Sequence, residues 1–174
     1  LSVVKGQYTD QASLCVNPMA SLSYDAQYDA YKIYSTAFDV PSIAIISEDN
    51  EELSISSFAT SEVLVIPIKV TAHSSGTSQL VFNELEGLMN FNCVILEDQE
   101  TGTFVDIKTE TSYSFYLNST TDSARFLLHI SNVSASFIAA DTVIISENNG
   151  EYIPVINSTN GTQYSWVFGD NSTS

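Results

Sequence analysis

Apolar and polar residues alternate with a period of two along much of this chain. In "SEVLVIPIKVTA" Leu64, Ile66, Ile68 and Val70 fall on one face and Val65, Pro67 and Lys69 on the other, the pattern of a strand with one buried side. "SARFLLHIS" repeats it, with Ala124, Phe126, Leu128 and Ile130 directed inward and Arg125, His129 and Ser131 outward. "TSYSFYLN" sets Tyr113, Phe115 and Leu117 on one face, and near the C-terminus Tyr164, Trp166 and Phe168 alternate with Ser165 and Val167. "NFNCVILED" and "TVIISE" are denser apolar runs of the kind carried by buried strands. Pro67 cannot donate to a strand ladder, so its strand is expected at a sheet edge or at a bulge. Turn-forming clusters punctuate these runs: "EDNEE", "HSSGTS", "QETGT", "NSTTD", "ENNGE" and "NSTNGT". Only "DAQYDAYKIYS" has helical character, and its tyrosines and Ile33 suit an extended segment as well. Many short strands at this spacing predict an all-β protein built as an antiparallel β-sandwich, with a boundary near Asn132.

Charge narrows the partners. The 174 residues carry Lys+Arg 5 against Asp+Glu 21, a net charge of −16. So few cations cannot neutralise a phosphate backbone, which excludes nucleic acid, and the same shortage disfavours an anionic membrane surface. Calcium, cationic surfaces and neutral glycans stay compatible. No apolar run approaches the ~20 residues of a membrane helix, so no membrane insertion is expected. Cys15 and Cys93 lie far apart, too few for a disulfide scaffold and wrongly spaced for zinc. Two alternatives stay open for them, a single Cys15–Cys93 bridge or free thiols held in the fold.

Two stretches resemble known families. "YSWVFGDN" (Tyr164–Asn171), with the opening "ASF" and the preceding "NST", resembles the first half of a PKD domain, an immunoglobulin-like sandwich of extracellular proteins. The resemblance implies that Trp166 packs in a core, that Phe168 belongs to the same signature, and that Gly169 and Asp170 shape the turn. Asn171 stands where the family usually has glycine, and asparagine also tolerates the left-handed conformation. On this resemblance residues 133–174 form a partial PKD-like domain, continuing beyond the chain, after a β-sandwich module of jelly-roll or Ig-like type over residues 1–132.

The first unit resembles a β-sandwich module of large secreted proteins of Bacteroidetes, which commonly use type IX secretion. The residues that carry this are "YDAQYDAYKIYS", "ELSISSF", "VLVIPIKV", "NCVILEDQETGTFVDI", "SYSFYLN" and "ARFLLHI", in that order. The resemblance implies a secreted or cell-surface protein and no catalytic role for this module.

Several constellations suggest chemistry, each with a structural counterpart. Asp25 and Asp29 offer carboxylates for calcium, yet two do not complete its shell, and the alternative is an ion pair with Lys32 amid packed tyrosines. Glu97, Asp98, Glu100 and Asp106 flank a Thr-Gly turn and read as a solvated hairpin edge rather than a glycosidase pair. His73 and His129 accompany no G-x-S-x-G elbow and no HExxH motif, so no enzyme is expected. Tyr8, Tyr24, Tyr28, Tyr31, Tyr34 and Tyr152 are candidates for a sugar-stacking platform. Asn118, Asn132, Asn157, Asn160 and Asn171 open Asn-x-Ser/Thr triplets. Within the Bacteroidetes resemblance the relevant pattern is Asp-Ser/Thr before a small or aliphatic residue, which marks Ser123 and Thr142 for O-glycosylation.

The expected function is therefore architectural: an extracellular, acidic module of a long surface protein, serving as spacer, adhesin segment or filament subunit. Its partners are neighbouring domains, further copies in a filament, or a glycan. The alternative is a carbohydrate-binding accessory module of a secreted hydrolase.

Overall fold

The computed structural model describes residues 1–60, 63–119, 124–132, 134–138 and 155–159. Among these residues every regular element is a strand. None is a helix long and apolar enough to cross a membrane. The chain divides into two compact units, Leu1–Ser131 and Asn132–Ser174.

The first unit is a sandwich of two sheets. The smaller contains β1 (Ser2–Lys5), β2 (Tyr8–Gln11), β8 (Gly76–Val81) and β11 (Ser112–Leu117), in the order β11-β8-β1-β2. The larger contains β3 (Ser13–Val16), β4 (Ala30–Tyr31), β5 (Ser42–Ile46), β6 (Glu52–Phe58), β7 (Val63–Thr71), β9 (Cys93–Asp98), β10 (Thr103–Asp106) and β12 (Phe126–Ser131). Its order is β10-β9-β12-β7-β5-β6-β3, with β4 also paired to β6. All ladders of this unit are antiparallel except β3–β6.

Alternation along the strands builds the core. Leu64, Ile66, Ile68 and Val70 of β7 join Phe126, Leu128 and Ile130 of β12 and Val94 and Leu96 of β9. Val3, Leu80, Phe115 and Leu117 meet them from the smaller sheet. Burying apolar surface between two sheets is the main stabilising term for such a domain.

The two sheets close differently along their two sides. On one side β2 and β3 are a single run of chain that leaves the smaller sheet and joins the larger, turning at Ala12, which is 2% exposed. A small residue fits where the backbone crosses between layers. The Gly6 turn that starts this run has φ 60°, a conformation glycine adopts without steric penalty. The other side is bounded by the edge strands β10 and β11.

One expectation changes here. β7 is an interior strand, between β12 and β5, with an uninterrupted register through Leu127↔Pro67. Proline is accommodated because the β5 ladder covers only Ser42↔Thr71 to Ile45↔Ile68, ending one residue before Pro67 is reached. "DAQYDAYKIYS" forms a turn over Ala26–Tyr28 followed by β4, with no helix. In the second unit β13 (Ser134–Ile138) pairs antiparallel with β14 (Val155–Thr159).

Candidate functional site

The most elaborate polar arrangement lies on the β10–β11 side. β9 alternates regularly, so its last residue, Asp98, takes an inward position and is 0% exposed. Arg125, immediately before β12, reaches it with two hydrogen bonds, Nε to Oδ1 at 2.7 Å and Nη2 to Oδ2 at 2.6 Å. Tyr113 Oη of β11 donates to Asp98 Oδ2 at 3.0 Å, and Glu100 N donates to Oδ1 at 3.1 Å. Arg125 Nη1 donates to the carbonyl of Tyr116 at 2.6 Å and lies 2.5 Å from Glu100 Oε2. The guanidinium also sits 5.0 Å from the Phe115 ring centroid and 5.2 Å from that of Phe126.

One arginine thus joins β9 and β12 of the larger sheet to β11 of the smaller. Burial pushes the Asp98 carboxyl upward. The Arg125 hydrogen bonds, the Tyr113 hydroxyl, the Glu100 N–H and the guanidinium charge outweigh it and hold the pKa below the usual carboxylate value. Burial likewise pulls the Arg125 pKa down, and its bonds to Asp98 more than reverse that. With every polar atom engaged this group is a staple, not an acid–base pair.

Arg125 was expected on the outward face, and the acids of "LEDQETGTFVD" on a solvated edge. The structure corrects both at Arg125 and Asp98. Parity does not fix a side chain at the strand margin, where Arg125 folds over the sheet end toward its partner.

The other cations are also committed inside the fold. Lys69 Nζ meets Glu52 Oε1 at 2.8 Å, Lys32 pairs with Asp10, and Lys5 bonds Ser74 and lies 3.8 Å from Asp39. Lys108 Nζ donates to the carbonyl of Phe91 at 2.6 Å. All 5 Lys and Arg residues of the chain therefore have intramolecular partners. Lys32 does not pair with Asp25 or Asp29, as its position in the sequence suggested. Asp10 also accepts from Ile43 N at 2.8 Å, fixing β2 to β5.

Asp25 and Asp29 serve the backbone. Asp29 accepts from Asp25 N at 2.8 Å and from Ser57 N at 2.7 Å, and Asp25 accepts from Gln27 N at 2.9 Å. Among the described residues no group of three or more His, Cys, Asp or Glu side chains could hold a metal ion. Above this turn Tyr24 stacks on Tyr31 with centroids 4.3 Å apart, leaving Tyr31 50% exposed.

Cys15 and Cys93 are both free. The contemplated bridge is not formed because Cys15 lies exposed on β3 opposite Ser57, whereas Cys93 lies on β9 opposite Ser131. Burial, with the Asp106 carboxylate, pushes the Cys93 thiol up against an opposing effect of Lys108.

His129 Nε2 lies 2.7 Å from Glu97 Oε2, and its ring is 6.5 Å from that of Phe104. Asn118 is exposed at the end of β11. Ser123, Thr142, Tyr152, Trp166, Phe168, Gly169 and Asp170 lie outside the described residues.

Cavities open on the first unit, two of them lined by described residues. One of about 210 Å³ is lined by Cys15, Leu14, Leu85, Leu88 and Leu128 among others. The second, of about 310 Å³, lies beside β7, against Val65, Ile66 and Pro67. Sequence reading missed both, since they arise from where strands part rather than from any motif. Comparison with protein-family models, with curated proteins and with solved structures returned no match.

Proposed function

We propose that the chain is an extracellular structural or adhesive β-sandwich module of a large modular bacterial surface protein, acting as spacer, adhesin segment or filament subunit. The observation that supports this reading is the disposition of charge. Every Lys and Arg side chain closes an internal contact, while 21 acids against 5 cations leave the solvent face anionic and rich in Ser and Thr. Such a surface keeps neighbouring copies apart in solution and repels anionic partners. The sandwich, closed on one side by the β2–β3 run and stapled on the other by Arg125, suits a unit that sits within a longer chain. The resemblance to Bacteroidetes secreted modules supports export by the type IX route, and that to PKD domains supports an Ig-like unit over residues 133–174. On this reading Ser123 and Thr142 carry O-linked sugar.

A carbohydrate-binding accessory module is the second reading, favoured by the exposed Tyr31 ring stacked on Tyr24. Affinity electrophoresis through gels containing neutral polysaccharides separates the two. Unchanged mobility in every gel supports the scaffold. Retardation that disappears in Tyr31→Ala transfers the assignment to carbohydrate binding.

A further inference from the structure

We propose that the cavity beside β7 binds a primary ammonium carried on an aliphatic stem, the chemistry shared by a lysine side chain and a free diamine. The cavity has a topological cause. β5 follows β7 only as far as Ile45↔Ile68, then leaves through Ser47 into the hairpin that leads to β6. From Val63 to Pro67, β7 keeps β12 on one side and has lost β5 on the other. Ile46, Val65, Ile66 and Pro67 wall the resulting space of about 310 Å³. Leu22 closes it, held there by the hydrogen bond from Glu48 N to Leu22 O at 2.9 Å.

The polar part of the wall points to the ligand. Glu48, Asn50 and Ser56 line the cavity, and among the described residues their side chains bond no other group. Ser56 is 7% exposed as a residue and lines the cavity, where its hydroxyl is open to a ligand. The neighbouring residues are, by contrast, engaged: Ser47 Oγ donates to Asp49 at 2.6 Å, and Asp49 accepts from Tyr24 N at 3.0 Å.

Charge then selects among ligands. Glu48 is an uncompensated carboxylate in a chain whose cations are all committed elsewhere, so anions are repelled and cations attracted. Among the described residues the cavity walls hold aliphatic side chains and no aromatic ring, which offers a sugar no stacking platform there and suits a methylene stem. An ammonium has three donors and no acceptor. The Glu48 carboxylate, the Asn50 carbonyl and the Ser56 hydroxyl oxygen supply three acceptors.

The test is a titration of the 15N-labelled full chain at low ionic strength, read as amide chemical shifts. The probes are 1,5-diaminopentane, Nα-acetyl-lysine amide and, as a neutral control, methyl glucoside. Saturable shifts centred on Leu22, Glu48, Asn50, Val65 and Ile66 are expected with one or both amines and not with the glucoside. Glu48→Gln, at an exposed position without a partner, is expected to keep the fold and to weaken binding about fivefold. A response to the diamine alone assigns the site to a free amine, and a response to the lysine amide alone assigns it to a polypeptide. Shifts spread over the acidic surface, equal affinity in Glu48→Gln, or binding of the glucoside instead would overturn the proposal.

Discussion

Arg125 and Asp98 form a doubly hydrogen-bonded ion pair, Nε–Oδ1 2.7 Å and Nη2–Oδ2 2.6 Å, in which the carboxylate is fully buried. Through Tyr113 and the Tyr116 carbonyl the pair reaches β11, so it fastens the side of the sandwich that no continuous strand closes. A buried pair of this kind costs desolvation of both ions. Its removal by halves is therefore more damaging than its absence. Arg125→Met alone is expected to destabilise the fold by about 3–5 kcal/mol, because it strands a buried carboxylate. The double variant Arg125→Met, Asp98→Leu is expected to recover much of that loss. Urea unfolding of the four proteins measures the cycle, and additive single losses would contradict the coupling.

Acid sensitivity follows from the same pair. The folded pKa of Asp98 lies below its unfolded value: burial raises it, and the Arg125 and Tyr113 hydrogen bonds lower it by more. A depressed carboxylate contributes stability that is fully present above the unfolded pKa, about 3.9, and is lost as pH falls through the lower folded value. Thermal melts from neutral pH downward are expected to hold until about pH 4 and then fall. In Asp98→Asn the same segment of the curve is expected to be flatter. A wild-type curve parallel to that of Asp98→Asn would remove Asp98 as its cause.

The thiols give a third prediction. Mass analysis without reductant is expected to find both cysteines free. Alkylation is expected to be biphasic, with exposed Cys15 fast and Cys93 slow, because burial raises the Cys93 pKa and lowers its thiolate fraction. Cys15→Ser is expected to leave only the slow phase. A single species linked between the two peptides would contradict this placement.

Asp29 is a backbone acceptor for Asp25 and Ser57. Asp29→Ala is expected to cost about 1–3 kcal/mol, the penalty for buried donors left without a partner. Millimolar calcium or a chelator is expected to leave the melting temperature of the wild type unchanged. A rise with calcium that Asp29→Ala abolishes would reinstate Asp25 and Asp29 as ligands.

The sequence made some of this legible, for a physical reason. Where a strand has one dry and one wet face, alternation names the buried residues, and Leu64, Ile66, Ile68, Phe115, Leu117, Phe126 and Leu128 are all in the core as expected. Alternation carries no information about strand order. Pro67 therefore pointed to an edge or bulge, whereas β7 is interior and only its β5 neighbour stops short. The parallel docking of β3 on β6 had no local signature either, because the partners are separated by a turn region, β4 and β5. Asp98 and Arg125 carried a faint one: the chain's single arginine stands at the start of an apolar strand, and the acid closes the inward register of another. Their pairing depends on contacts between residues 27 apart, which pattern alone does not supply. The lysines show the same limit, since Lys32 found Asp10 across the sandwich and not the nearer acids.

Whether the protein works outside the cell is decided by surface proteolysis of intact cells. An antibody against residues 1–131 would follow the native protein by immunoblot before and after protease is added outside the cell. For a module of a large surface protein, a band well above 19.0 kDa is expected that protease removes while cytoplasmic markers persist. A band that survives until the cells are lysed would contradict that expectation.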